Sequence, residues 1–150
     1  MMVRRADGVR QTLHHARVTP ETGLPGDRWE RALADHPEMQ ITVMRRDVAE
    51  LIANGQPLTV FGDNFFVDLD ISEQNLPPGA RLRVGEAMVE VSPQPHTGCM
   101  KFQKRFGPDA LRLVNRRREL KLRGIYFQVV EAGEVVPGAA IEVLSRDSHS

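Results

Sequence analysis

Cysteine is nearly missing from this sequence: Cys99 is the only one in 150 residues. A single thiol excludes any disulfide within the chain and fits a reducing compartment, here expected to be the cytoplasm. It also excludes a four-cysteine zinc site and a two-cysteine, two-histidine one. His14, His15, His36 and His149 stand at no metal-motif spacing from His96 and Cys99, so no closed structural metal site is expected. Long apolar runs are absent as well, none approaching the roughly 18 residues that a membrane helix requires. Met1-Met2-Val3-Arg4-Arg5-Ala6-Asp7 has basic residues with no apolar stretch behind them, which is not the pattern of a signal peptide. Net charge is absent too, since 20 Lys and Arg balance 20 Asp and Glu, and bulk electrostatics therefore names no partner. At this length the expectation is one soluble domain over residues 1–150, with a core at about 20–145 and an N-terminal arm before it.

What is present concentrates in Pro93 to Gly107, which reads Pro-Gln-Pro-His-Thr-Gly-Cys-Met-Lys-Phe-Gln-Lys-Arg-Phe-Gly. Two prolines stop the preceding strand-like run. Thr97 can serve as an N-cap, with Gly98 opening a short helix that Gly107 closes. Cys99 would then lie in a first helical turn, where free N–H groups favour a thiolate. The same spacing carries a plainer meaning. Cys99, Phe102 and Phe106 share one helical face, and a buried, inert thiol fits that pattern equally. His96 likewise suits either an acid–base role or a hydrogen bond that closes the turn.

Charge is distributed unevenly despite its zero sum. Lys101 to Arg123 holds nine Lys or Arg against Asp109 and Glu119, an excess of seven that the rest of the chain offsets. A solvated basic face is one reading. An anion site, most simply for a phosphate, is the other, because guanidinium forks match phosphate oxygens in pairs. Lys101, Arg105 and part of Arg116 to Arg123 would then border the cavity of Cys99. Nucleic acid is disfavoured, since no RNA-binding motif accompanies Phe102, Phe106 and Tyr126.

The remaining chain reads as short strands broken by turns. Residues 1 to 22 show no clear period and are read as a strand and loop or a mobile arm. Gln40 to Met44 has strand composition, and Asp47 caps a helix that ends at Asn54-Gly55. Strands are expected at Pro57–Phe61, Phe65–Ile71, Ala80–Val84, Ala87–Val91, Gly124–Val130 and Ala140–Leu144, the Ala80 and Ala87 runs forming a hairpin. Helices are expected at 47–54, 98–106 and 108–115. The fold class is mainly β, a partly closed barrel or a sandwich with a few short helices.

These pieces, in this order, resemble a stand-alone MOSC domain, the module named after the C-terminal part of molybdenum cofactor sulfurase. The resemblance is carried by Gly26-Asp27-Arg28-Trp29, by Asp68 to Gly79 with its Asn75-Leu76-Pro77-Pro78-Gly79 turn, and by Val84-Gly85-Glu86-Ala87. Pro95-His96-Thr97-Gly98-Cys99 with Lys101-Phe102 and Arg105-Phe106-Gly107, then Arg123-Gly124-Ile125-Tyr126 and a closing Gly133 to Val143 hairpin, complete it. It implies a β-barrel-like fold and an association with molybdenum cofactor, the pyranopterin-bound metal. The family cysteine, here Cys99, would carry sulfur as a persulfide or ligate molybdenum directly. His96 would assist it, and Thr97, Lys101, Arg105, Asn75, Arg28 and Arg123 would bind the cofactor. Partners would be a cysteine desulfurase, which alone would hold pyridoxal phosphate, or a molybdoenzyme. Two alternatives stay open: a small molybdoenzyme that reduces N-hydroxylated compounds, and a non-catalytic basic barrel that holds a phosphate-bearing ligand or RNA.

Overall fold

A computed structural model describes residues 1–6, 9–28, 30 and 35–147. Its strands are β1 (Met2–Ala6), β2 (Val9–Leu13), β3 (Ala16–Val18), β4 (Ile41–Arg45) and β5 (Phe65–Val67), followed by β6 (Arg81–Val84), β7 (Ala87–Val91), β8 (Ile125–Glu131), β9 (Gly133–Val135) and β10 (Ile141–Ser145). Three short helices accompany them: α1 (Arg46–Ala53), α2 (Met100–Phe106) and α3 (Pro108–Arg116). The main sheet has eight strands in the order β10-β6-β7-β8-β4-β5-β1-β2, and β3 pairs separately with β9. All pairings are antiparallel except β4 with β5. The sheet curls into a half-barrel, so the mainly β, partly closed architecture expected above is the one observed. Among the described residues no helix is long and apolar enough to cross a membrane.

The central strands are buried on both faces, which explains their continuous apolar runs. Along β4, Ile41 and Val43 point into the barrel beside Leu82, Val89 and Phe127. Met44 points the other way, into a second cluster with Val3, Phe61 and Phe66. Strand β5 splits likewise, with Phe65 and Val67 on one side and Phe66 on the other. Alternation with period two therefore builds two cores from one set of strands. Phe102 of α2 and Val114 of α3 enter the second cluster, and this seats both helices against the outer face of β1, β4 and β5.

Several expectations need correction. Pro57–Phe61 is no strand; Leu58–Val60 makes a 3-10 turn, because Pro57 and the positive φ of Gly62 at 76° bend the chain. The closing hairpin does not form, as β9 pairs with β3 while β10 pairs with β6. Strand β9 instead crosses tightly over the β6–β7 turn, and a Cβ on Gly133 would lie 2.3 Å from the Glu86 carbonyl carbon. Helix α2 begins at Met100, one position after Cys99, and Thr97 caps nothing. Residues 2–6, 9–13 and 16–18 are strands of the sheets, and the β1–β2 pair carries two residues of the site described next. Trp29 and His149 lie outside the described residues.

Candidate functional site

The floor of the site is set by a buried asparagine. Asn64, which is fully buried, accepts from the Thr42 N–H at 3.0 Å and donates to the Val3 carbonyl and to Asp27 Oδ1, each at 3.0 Å. It thereby ties β1, β4 and the Gly26-Asp27-Arg28 loop together just before β5. Asp27 in turn accepts from the Arg5 backbone at 2.7 Å and from its guanidinium at 3.1 Å. One residue earlier, Asp63 holds Arg123 through contacts of 2.9 and 3.1 Å, and Arg123 stacks 5.3 Å above the Phe102 ring. Both carboxylates are thus consumed by arginines that are themselves largely buried, as burial of charge demands.

Above this floor opens a cleft of about 290 Å³, lined by Arg5, Arg10, Arg28, Arg105, Arg123 and Lys101 together with Thr42, Thr97, His96, Cys99 and Tyr126. Arg10 and Arg105 converge on one acceptor, the Val60 carbonyl, at 3.4 and 3.0 Å. Arg10, Arg28, Arg105 and Lys101 have no carboxylate partner among the described residues. Burial first, then the surrounding guanidiniums, press Arg10 and Arg28 below the ordinary arginine pKa. Four unpaired cations in one concave surface focus a positive potential, and a ligand with oxyanion groups is the natural complement.

Cys99 stands exposed at the rim, as the N-cap of α2 with φ −126° and ψ −176°. Its sulfur closes no capping bond of regular geometry, yet the Phe102 N–H, and more weakly the Lys101 N–H, favour its thiolate. These donors, with the charges of Arg123 and Lys101, outweigh the opposing effect of burial, and the pKa falls below the ordinary thiol value. The buried, inert thiol is therefore not what folds. Lys101 lines the same cleft, and its charge is among the causes of the thiol's lowered pKa.

His96 stacks on Tyr126 at 4.7 Å between ring centroids. Burial lowers its pKa to about 4, with Arg123 and Arg5 adding to the effect and Asp63 opposing it. Its Nδ1 is buried without a hydrogen-bond partner, 3.3 Å from where a Cβ on Gly124 would lie. A neutral ring at physiological pH suits packing and hydrogen bonding better than proton donation. The linkage has a definite sign. An imidazole with an unfolded pKa near 6.5 and a folded value of about 4 destabilises the fold as pH falls through that window. The loss should reach about 2–3 kcal/mol by pH 4. Urea unfolding of the wild type and of His96→Phe at pH 7 and pH 4.5 checks this: the variant should lose less stability on acidification, and equal losses would refute the assignment.

The structure gathers His96, Thr97, Cys99, Lys101, Arg105, Arg28 and Arg123 at this cleft, and leaves Asn75 away from it. Asn75 builds a turn, its side chain donating to the Asp70 carbonyl at 2.6 Å and accepting from Arg146 at 3.0 Å. Arg116, Arg117 and Arg118 are exposed and do not line the cleft, so the charge excess of the 101–123 segment reaches the site only through Lys101, Arg105 and Arg123. Arg5, Arg10 and Tyr126 were not anticipated as site residues.

A partly closed β-barrel that presents one thiol within a cationic cleft defines a recognisable class of domain. Residues 27–142 match the MOSC domain family model, and the chain belongs to that family, which is associated with molybdenum-cofactor binding. Over 86 residues it is 41% identical to the uncharacterized protein YflK of Bacillus subtilis, a match spanning 57% of this chain and 37% of YflK. The crystal structure of YiiM from Escherichia coli superposes with a TM-score of 0.64 at 25% identity, covering 99% of this chain and 72% of that one. The YuaD protein of Bacillus subtilis shares the fold, with a TM-score of 0.64 at 20% identity over 95% of this chain and 92% of its own. The aligned segment thus spans little more than a third of YflK.

Proposed function

We propose that this cleft receives molybdenum cofactor, with Cys99 at its metal and sulfur end and the unpaired guanidiniums at its phosphate. The observation that carries the reading is the convergence of one exposed thiol, disposed to ionise, with Lys101, Arg10, Arg28 and Arg105 in a single concavity. The donor set fits the group: a thiolate is a soft ligand, and forked guanidiniums match phosphate oxygens. When bound, the cofactor supplies a molybdenum centre able to exchange electrons or take a sulfur ligand. Arg5 and Arg123, neutralised by Asp27 and Asp63, shape the floor rather than compete for the anion.

Two roles for Cys99 follow from the same thiolate. As a ligand it holds the metal. As a carrier it attacks the outer sulfur of a donor protein's persulfide, the donor's S–S bond breaks, a new S–S bond forms on Cys99, and the donor leaves as a thiolate. Lys101 and the α2 N–H groups favour the attacking anion in either role. A separate cysteine desulfurase would supply the sulfane sulfur.

Incubation with a desulfurase and free cysteine, followed by intact-mass measurement, tests the carrier role. The wild type should gain one sulfur atom that dithiothreitol removes, and Cys99→Ser should gain none. A wild type that takes up no sulfur, and no molybdenum during expression in a cofactor-competent host, would overturn the proposal. The cations give a graded prediction. Arg28→Ala and Arg10→Ala should each weaken pterin retention by about 1.5–3 kcal/mol, the worth of a hydrogen bond to a charged group. Dialysis followed by pterin fluorescence reads that loss.

A further inference from the structure

We infer that Asn115, on α3, is a positioning residue for Cys99, holding the loop at residues 95–98 so that the sulfur stays at the cleft. The inference rests on the proposed role of Cys99 but uses a contact outside the cleft. Asn115 Oδ1 accepts from the Gly98 N–H at 2.9 Å, and its Nδ2 donates to the Gly98 carbonyl at 3.2 Å. The two bonds grip the residue immediately before the cysteine from both sides. Among the described residues, 95–98 make no other hydrogen bond, and the stack of His96 on Tyr126 and the packing of Gly98 on α3 complete their attachment.

Packing reinforces the grip. A Cβ on Gly98 would lie 2.7 Å from Leu111 Cδ1 and 2.9 Å from Val114 Cγ2, so only glycine lets the loop lie flush on α3. Val114 is anchored in the second core beside Phe102 of α2. Helix α3 thus fixes the chain on entry to Cys99, through Asn115, while the shared core fixes α2 on exit. The sulfur's position relative to the Phe102 and Lys101 N–H groups depends on both. If the entry is freed, the cap geometry of Cys99 is no longer determined, and the thiolate loses its donors.

The test is the pH dependence of Cys99 alkylation by iodoacetamide on the native protein, with thermal unfolding measured in parallel. It needs no cofactor. Asn115→Ala should raise the alkylation midpoint toward the ordinary thiol value and slow reaction at neutral pH several-fold. Asn115→Leu keeps the bulk of the side chain and adds no charge but removes both bonds to Gly98. It should raise the midpoint too, and it serves if the alanine variant does not fold. Gly98→Ala should do the same by lifting the loop off α3. Arg112→Ala, exposed on the same helix, should leave the midpoint unchanged. A merely structural role would lower thermal stability without moving the midpoint, and that result, or an unchanged profile in both Asn115 variants, overturns the inference. A wild type without bound pterin would count against the cofactor reading while leaving the positioning role intact.

Discussion

Cys99→Ala should lose all sulfur uptake and most bound molybdenum while remaining as stable as the wild type. Cys99 is the only thiol, so a persulfide has nowhere else to form. It is exposed and makes no regular capping bond, so its removal should change stability by no more than about 0.5 kcal/mol, as for other surface sites. Mass spectrometry for sulfur, elemental analysis for molybdenum and thermal unfolding check the three parts. Retention of molybdenum at the wild-type level by Cys99→Ala would remove the metal-ligand role and leave the carrier role to stand on sulfur uptake alone.

Asn64→Ala should have the opposite signature, a severe loss of stability at a position that never meets a ligand. Its side chain serves Thr42, Val3 and Asp27, and the substitution strands the buried Thr42 N–H and Val3 carbonyl while taking one donor from Asp27, which keeps those of Arg5. At about 1–3 kcal/mol for each unsatisfied buried group, the total is about 3 kcal/mol or more. For a chain of this size that lowers Tm by about 6–12 °C. Because Asp27 then loses its support while still holding Arg5, pterin retention should fall as well, even at temperatures where the variant is folded. A cost below about 1 kcal/mol by urea unfolding would show that the Asn64 network does not organise the floor.

What the sequence disclosed depended on whether the cause was local. The β6–β7 hairpin, the helices near 47–54 and 108–115, and the place of Cys99 at a helix start follow from turn residues and apolar periodicity, all legible within a few positions. Arg5 and Arg10 were not legible, because only the pairing of β1 with β5 and β2 carries them across to α2. The exposed run Arg116 to Arg118 misled in the opposite sense. Only the fold could have brought them back to the sulfur, and it leaves them exposed, with Arg117 paired to Glu119 at 2.9 Å. Asn75 sits in a turn motif that resembles relatives, yet its hydrogen bonds go to Asp70 and Arg146 and build the turn. His96 read equally as an acid–base group or a turn residue. In the structure it stacks on Tyr126, distant in sequence, and its Nδ1 is buried without a hydrogen-bond partner.

The central claim is that the cationic cleft around Cys99 holds molybdenum cofactor. Its most direct test is to express the full chain in a host that makes the cofactor and to count molybdenum atoms and oxidised pterin per chain in the purified protein. Comparable amounts of both are expected, with pterin falling in Arg28→Ala and molybdenum falling in Cys99→Ala. Protein that emerges folded but with neither molybdenum nor pterin above the level of an unrelated control would contradict it.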